Sequence, residues 1–314
     1  MEKEKELVTL VDVGSNTVRC CAYRVNAKTG NTVKVLDARD AVGLAAYVSN
    51  EGVMSKEGAV ACKKAVSKMV RMADLLNSDR TYVFATAAIR NCVNSKEIVS
   101  WVSSQCNCPI QVLSGEEEAQ LSMLGASLST GIRSGLFFDL GGGSTELSAM
   151  EGGKLIASDS IPVGSLSSWV RDSSGPWPSS QEIDAIGAGF TELIKTAKIN
   201  VKGYSTLCGV GGSVRLVLKV AKQMGLCEEK SRVLSLSMLD RIIDAGKSNS
   251  DELMRLVIQI KPERIHTFLP GCAIVRAIFK EAGVTEMVVS KAGLREGFLV
   301  SRVCTDLASG FDFV

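Results

Sequence analysis

Two stretches of the sequence decide the fold, since the second repeats the pattern of the first. They read TLVDVGSNTVRCCAYRV at residues 9–25 and LFFDLGGGSTELSAMEG at residues 136–152. Each is an apolar strand with an aspartate near its end, a glycine-containing polar turn and a second strand. The repeat predicts two homologous lobes, an N-terminal one over 1–127 and a C-terminal one over 128–314. The last helix is a candidate to pack back on the first lobe.

The rest of the sequence alternates strands and helices. Apolar residues at helical spacing predict a helix over 55–76, and shorter patterns predict strands over 81–86 and 110–113. In the second half, a capping box that begins at Ser179 predicts a helix through residue 198, and another helix is expected over 271–282. This alternation is typical of an α/β fold.

The composition of the chain limits the classes of function and of binding partner. The 314 residues are 46% hydrophobic and 22% charged, which is ordinary for a globular protein. The net charge is only +2, so we expect no nucleic-acid or membrane partner, and any anion site must be local. The N-terminus lacks the pattern of a signal peptide, and no apolar stretch is long enough to span a bilayer. A cytoplasmic protein is therefore expected.

Cysteine and histidine offer little chemistry. The ten cysteines are scattered through apolar segments, and only Cys106 and Cys108 suggest a metal site, without a second ligand pair. The one histidine, His266, lies in the helix-like stretch KPERIHTFLPG at 261–271. We expect most cysteines to be small buried hydrophobic residues and His266 to be structural or solvent-facing.

Three glycine turns follow apolar strands, and glycine lets backbone amides approach an anion closely. The first two turns lead into strands, which fits neither the Walker nor the dinucleotide-binding pattern. Two strand–turn–strand phosphate loops with a glycine turn before a helix are the arrangement associated with actin, sugar kinases and heat-shock ATPases. The candidate phosphate-binding residues in these turns are Gly14, Ser15, Asn16, Gly141, Gly142, Gly143, Ser144, Thr145, Gly211, Gly212 and Ser213.

Eight stretches in order carry a resemblance to a known family. They are VDVGSNTVR, ATAAIRNCVN, VLSGEEEAQLSMLG, FFDLGGGSTEL, SIPVGS, GVGGSVR, LPGCAIV and VVSKAGLREG. With them the chain resembles, nearly end to end, the short two-domain form of the exopolyphosphatase/guanosine-pentaphosphate phosphohydrolase (Ppx/GppA) family. The resemblance implies an α/β fold of two actin-like, ribonuclease H-like lobes with a central cleft between the domains.

The resemblance also implies catalytic residues. Glu117 is the candidate base that acts on the attacking water, and Glu118 is the second choice because three consecutive glutamates blur the register. Ser114 and Glu117 also satisfy the S-x-x-E capping box, so Glu117 could instead close a helix N-terminus. Arg90 resembles the phosphate-gripping arginine of the family, and an ordinary ion pair is its alternative.

A metal site is implied at the acids that flank the turns. Asp139 and Glu146, with Asp12 as the first-lobe equivalent, would hold Mg²⁺, or another divalent cation or K⁺. The alternative is that these acids only cap turns. Ser165 and Ser213 follow glycines in matching turns and are further candidates to contact the distal phosphate chain.

The function implied is release of orthophosphate from terminal phosphoanhydride bonds. The substrate is inorganic polyphosphate or guanosine pentaphosphate, with the penta- and tetraphosphates as ligands in the stringent response, and a homodimer is plausible by resemblance. The alternatives are a non-catalytic alarmone or polyphosphate sensor and a kinase of the same superfamily. The sequence leaves substrate preference, chain length and oligomeric state open.

Overall fold

The computed structural model describes residues 5–26, 31–49, 51–248 and 250–303. The chain divides into two compact units. The first contains the described residues up to Glu118 together with those from Phe298 onward, and the second contains Ala119–Gly297. The domain limits expected from the sequence, 1–127 and 128–314, stay a prediction.

The first unit is built on a five-stranded sheet with the order β3-β2-β1-β4-β5. Strands β1 to β3 form an antiparallel meander, while β4 lies parallel to β1 and β5 lies parallel to β4. The strands are β1 (Glu6–Val13), β2 (Val18–Val25), β3 (Thr32–Asp40), β4 (Arg80–Ala85) and β5 (Ile110–Val112). The helices are α1 (Lys56–Leu75), α2 (Ala87–Arg90) and α3 (Ser95–Cys106), with a 3-10 turn at Leu44–Tyr47.

Helix α1 forms as its apolar periodicity predicts. The Ser55 hydroxyl accepts a hydrogen bond from the Gly58 amide at 3.1 Å and caps the N-terminus. Cys62, Val66 and Met69 then lie on one buried face, as expected for an amphipathic helix on a sheet. The predicted helix at 55–76 is therefore confirmed.

The second unit contains a six-stranded sheet with the order β10-β11-β9-β6-β7-β8. Its strands are β6 (Gly135–Leu140), β7 (Thr145–Glu151), β8 (Lys154–Ile161), β9 (Leu207–Val210), β10 (Val233–Ser235) and β11 (Glu286–Val289). Its helices are α4 (Gly115–Thr130), α5 (Ser165–Asp172), α6 (Ser180–Lys195), α7 (Gly212–Gln223), α8 (Leu236–Ser248), α9 (Ser250–Ile260), α10 (Ile265–Ala282) and α11 (Leu294–Val303). Helix α4 begins, and α11 ends, in residues of the first unit.

The two sheets share one plan. In the first, β1 pairs antiparallel with β2 and parallel with β4; in the second, β6 pairs antiparallel with β7 and parallel with β9. The third strand of each meander, β3 or β8, was missed from the sequence, since β3 is largely exposed and lacks an apolar run. The α/β class and the actin-like plan of two repeated strand–turn–strand units are confirmed.

Helix α10 crosses the core of the second unit and is longer than expected. The sequence predicts a helix over 271–282 and a separate helix-like stretch at 261–271, and a proline such as Pro270 usually ends or kinks a helix. The structure continues the helix through Pro270 from Ile265, and nearly every residue from Thr267 to Phe279 is buried. Burial on all sides stabilises the helix enough to tolerate the missing backbone hydrogen bond at the proline.

The described cysteines are free thiols, and those in the cores behave as small apolar side chains. Burial raises the pKa of Cys62 and of Cys208 to about 12, which keeps both thiols protonated at neutral pH. Within the described ranges, no helix is long and apolar enough to cross a membrane.

Two backbone segments of the second unit are in close contact where α4 meets the start of α11. A Cβ atom on Gly297 would lie 1.8 Å from the carbonyl oxygen of Leu121, and one on Gly125 would lie 2.2 Å from the carbonyl oxygen of Gly293. No side chain fits at either position. Glycine at these positions is therefore required by packing.

We expect Gly297→Ala to destabilise the protein by about 1–3 kcal/mol or more, the usual cost of overpacking, because the Leu121 carbonyl must move. The matched control is Gly189→Ala on α6, where a Cβ would meet nothing within 4 Å. That change should stabilise by up to about 1 kcal/mol through helix propensity. Denaturant unfolding of both variants checks this, and equal stability of the two would contradict the packing argument.

Candidate functional site

The first glycine turn joins β1 to β2 and is held by backbone hydrogen bonds. The Gly14 amide donates to the Thr17 carbonyl at 3.2 Å and closes the turn. The carbonyls of Ser15 and Asn16 accept hydrogen bonds at 3.0 Å from the amides of Ala45 and Gly43. The turn is thus fixed from both sides.

The Asn16 side chain in this turn carries an unsatisfied hydrogen-bond donor. It is 7% exposed, and its buried Nδ2 atom has no hydrogen-bond partner among the described residues. Buried donors are normally satisfied, so an unsatisfied one needs an explanation. A bound anion at the turn would supply the missing acceptor.

The second glycine turn joins β6 to β7 and closes in the same way. The Gly141 amide donates to the Ser144 carbonyl at 3.0 Å. The backbone of Gly164 packs on it so closely that a Cβ there would lie 2.6 Å from the carbonyl carbon of Gly142. The amides of Ser165 and Leu166 at the start of α5 donate to the Gly141 and Gly142 carbonyls at 3.1 and 2.8 Å. These amides hold the turn.

Three of the residues predicted to contact phosphate are buried. Thr145 and Ser165 are fully buried and Ser213 is 5% exposed. The Thr145 hydroxyl donates to the Val163 carbonyl at 2.7 Å, and the hydroxyls of Ser165 and Ser213 lie 3.2 Å apart. Phosphate contact by Ser165 and Ser213 stays a prediction, and the observed hydrogen bonds favour a role in holding the turns.

The third glycine turn lies against the second. Gly211 has a φ of 104°, and a Cβ there would lie 2.5 Å from the Leu140 carbonyl oxygen and 2.9 Å from Asp139 Oδ1. At Gly212, a Cβ would lie 3.2 Å from Nη2 of Arg264. Arg264, which was not identified from the sequence, therefore places a guanidinium beside this turn.

Each unit gathers its candidate residues at the carboxyl ends of its parallel strands. In the first unit, the Thr86 amide donates to the Val13 carbonyl at 3.2 Å, which places the start of α2 beside the first turn. The Leu113 amide donates to the Ala85 carbonyl at 2.9 Å, so the segment before Glu117 ends at the same edge. This edge is the usual position of ligand sites in α/β sheets.

Asp139 and Glu146 are cross-strand partners on β6 and β7, so their side chains leave the same face of the sheet. The Ser122 hydroxyl donates to Asp139 Oδ2, and the Ser160 hydroxyl donates to Glu146 Oε1 at 2.9 Å. Glu146 is only 2% exposed, whereas Asp139 is half-buried. Asp139 is the more accessible of the two carboxylates.

Asp12 has a different neighbour. Its cross-strand partner is Arg19, where the second unit has a glutamate. The Arg19 Nε donates to Asp37 Oδ1 at 2.7 Å. Burial of Asp37 opposes its ionisation, but the hydrogen bond from Arg19 and the charges of Arg19, Lys34 and Arg39 hold its pKa well below the usual range. The quoted motif contains Arg19, but only the strand register places it opposite Asp12.

The glutamates at the start of α4 have distinct partners. Arg90 donates to Glu118 Oε2 and, at 3.3 Å, to the Leu113 carbonyl. Both charged side chains are largely buried, with 16% of Arg90 and 10% of Glu118 exposed. Glu118 is therefore the counter-ion of Arg90.

Glu117 forms the capping box that its sequence context allows. The Ser114 amide donates to Glu117 Oε2 at 2.8 Å, and the Glu117 amide donates to Ser114 Oγ at 3.1 Å. Its second oxygen, Oε1, makes no hydrogen bond to the described part of the chain. The predicted base role remains a prediction, and a cap that uses one oxygen is compatible with it.

His266 lies in the first turn of α10, with its ring centroid 4.7 Å from that of Trp169. Burial and the nearby Arg264 lower the pKa of His266, so the ring is neutral at pH 7. Among the described residues, no group of three or more histidine, cysteine, aspartate or glutamate side chains could hold a metal ion. Mg²⁺ often binds through one or two carboxylates with phosphate oxygens, and Asp139 with Glu146 fits that donor set.

The repeated sheets and their glycine turns define an α/β protein of the actin-like class. The family model described as the Ppx/GppA phosphatase family matches residues 24–305. The chain belongs to this family of phosphatases, which confirms the resemblance found from the sequence.

Solved structures agree on the fold. An exopolyphosphatase from Cytophaga hutchinsonii is 18% identical over 98% of this chain and 99% of that chain, with a TM-score of 0.81. The PPX-GPPA enzyme of Aquifex aeolicus is 23% identical over 95% and 100% of the chains, with a TM-score of 0.75. An exopolyphosphatase-like protein is 24% identical over 98% and 100%, with a TM-score of 0.82. These similarities show a shared fold.

The distinct partners of the two glutamates predict different effects on stability. We expect Glu118→Gln to cost about 3 kcal/mol, since it removes the carboxylate charge that pairs with Arg90 in a largely buried place. Glu117→Gln keeps a side-chain acceptor for the capping box and should cost less than about 0.5 kcal/mol. Denaturant midpoints of the two variants measure this difference. A larger loss for Glu117→Gln would reverse the assignment of the ion pair.

Proposed function

We propose that this phosphatase hydrolyses terminal phosphoanhydride bonds and releases orthophosphate from inorganic polyphosphate, guanosine pentaphosphate or both, with Mg²⁺ as cofactor. One observation carries the proposal. Two glycine turns, closed by equivalent hydrogen bonds, follow the strands that carry Asp12 and Asp139. Backbone amides of such turns, rather than a basic surface, would bind the phosphate groups.

Anion binding in the first unit is supported by the unsatisfied Nδ2 of Asn16 beside the first turn. Arg90 is the fourth residue after Thr86, whose amide is bonded to Val13, so its helix starts next to that turn. The bond from Arg90 to Glu118 orients the guanidinium. Arg90 would thus reach a phosphate oxygen from a fixed position.

We assign to Glu117 the role of the base that acts on the attacking water. Phosphoryl transfer depends mainly on positioning and charge stabilisation, so a carboxylate held in one orientation suits this role. The capping box fixes Glu117 through Oε2 and leaves Oε1 to accept a proton or a hydrogen bond from water. Glu118 is already bonded to Arg90, which makes it the weaker candidate for the base.

Asp139 and Glu146 would hold the Mg²⁺, with Asp139 as the direct ligand because it is the more exposed. When bound, the metal neutralises charge on the phosphate oxygens. Another divalent cation or K⁺ would be distinguished by its effect on turnover.

The base assignment predicts that Glu117→Ala lowers the rate of phosphate release by about 10²–10⁴-fold, the typical contribution of a general base. Substrate binding should stay measurable, because the glycine turns are unchanged. The control is Glu116→Ala, an exposed residue in the same helical turn. Phosphate release is compared for long polyphosphate, short polyphosphates and guanosine pentaphosphate, and undiminished turnover of Glu117→Ala would remove it from the mechanism.

The metal assignment predicts that Asp139→Asn raises the Mg²⁺ concentration for half-maximal activity by about tenfold or more, since a charged ligand is lost. Chelation should abolish turnover of the unmodified protein. The control is Glu151→Gln, at the exposed end of the same strand as Glu146. An unchanged Mg²⁺ requirement in Asp139→Asn would place the metal elsewhere.

A second candidate is a non-catalytic polyphosphate or alarmone sensor. The capping box favours it, because closing a helix N-terminus accounts for Glu117 without catalysis. Tight binding of guanosine tetraphosphate or polyphosphate, with no phosphate release for any substrate or metal, would establish this alternative.

A further inference from the structure

A groove of about 240 Å³ lies on the second unit, away from the glycine turns. It is bounded by α6, α8 and α10. Its floor is aliphatic, with Ile183 and Gly187 from α6, Ile243 from α8, and Ala273 and Ala277 from α10. We call it the α6–α10 groove. None of the candidate phosphate, metal or catalytic residues lines it.

The charged groups at the rim favour an anion. Arg276 and Lys280 stand one helical turn apart on α10, so their side chains are neighbours. Arg276 Nε lies 2.7 Å from Asp240 Oδ1, and its Nη groups make no bond to other residues in the described ranges. Lys280 likewise has no ion-pair partner there. Two cations therefore offer unused donors.

The acidic group at the groove is neutralised. Asp184 accepts a hydrogen bond from Lys247 at 2.6 Å. Asp184 is paired with Lys247 and Asp240 with Arg276, so these two acids and the three bases Arg276, Lys280 and Lys247 leave a net positive charge. An anionic group would thus meet attraction at α10 without facing an unpaired carboxylate.

The residues that line the groove also indicate the chemical type of the uncharged part of the ligand. It contains no aromatic ring on which a nucleobase could stack, and the Thr191 hydroxyl is used on the Gly187 carbonyl at 3.0 Å. From Ile183 to Thr191 the helix rises about 12 Å, which is long enough to accommodate an extended eight-carbon chain. An aliphatic chain matches this surface better than a nucleoside or a sugar.

We propose that the α6–α10 groove binds a medium-chain aliphatic carboxylate, with its carboxylate on Arg276 and Lys280 and its chain along Gly187 and Ala277. The site is separate from the proposed hydrolytic site. It shares a helix with that site, because α10 also carries Gly271, where a Cβ would lie 3.4 Å from the Ser213 Cβ.

Calorimetric titration of the full chain with octanoate tests the proposal. We expect saturable binding of one octanoate, and much weaker binding of acetate, which has the charge without the chain. Octylammonium, which has the chain with the opposite charge, should not bind. Equal binding of octanoate and octylammonium would overturn the assignment, because the cations would then have no role.

Two variants locate the site independently. Lys280→Gln should weaken octanoate binding about tenfold, the usual effect of losing one charge-assisted hydrogen bond. Ala188→Phe, at an exposed lining position, should abolish binding by filling the groove. The control is Lys195→Gln, an exposed lysine of α6 outside the groove that is paired with Glu192. Wild-type affinity in both groove variants, or an equal loss in the control, would refute the site.

Discussion

Close contact between backbones at the glycine turns is the constraint on which the rest of the second unit depends. Gly164 lies on Gly142, and Gly211 lies on the Leu140 carbonyl, at distances that no Cβ could occupy. The start of α5 can therefore donate its amides to the second turn, and α7 can begin beside Asp139. A side chain at Gly164 or Gly211 would push its backbone away from the second turn and from Asp139 on β6.

The charged groups near the turns are individually partnered, as buried charges must be. Glu118 bonds Arg90, Asp139 accepts from Ser122, and Glu146 accepts from Ser160. The partners hold the carboxylates in fixed orientations, which lowers the cost of organising them around a ligand. The two units are also unequal, since Asp12 lies opposite an arginine and Asp139 opposite a glutamate. The repeated scaffold thus carries a different charge pattern in each unit.

Prediction from the sequence succeeded where neighbours in the chain decide the structure. The capping box at Ser114 and Glu117 and the limits of α1 follow from contacts between residues three or four positions apart. It left the stretches at 261–271 and 271–282 separate, whereas the structure joins them into one helix through Pro270, because burial by distant elements overrides the helix-breaking tendency of proline. Contact of Ser165 and Ser213 with the phosphate chain stays a prediction, and only the tertiary structure shows that α10 packs against both residues and that they are buried.

By itself, the sequence determined the α/β class, the repeated strand–turn–strand units, the three glycine turns and the family. These features depend on local periodicity and short motifs, which can be identified along the chain. Only the tertiary structure decided which glutamate faces Arg90, because adjacent residues on a helix point about 100° apart and the partner lies 28 positions away. The same holds for Arg19 opposite Asp12 and for Arg264 beside Gly212, since strand register and helix packing bring distant residues together.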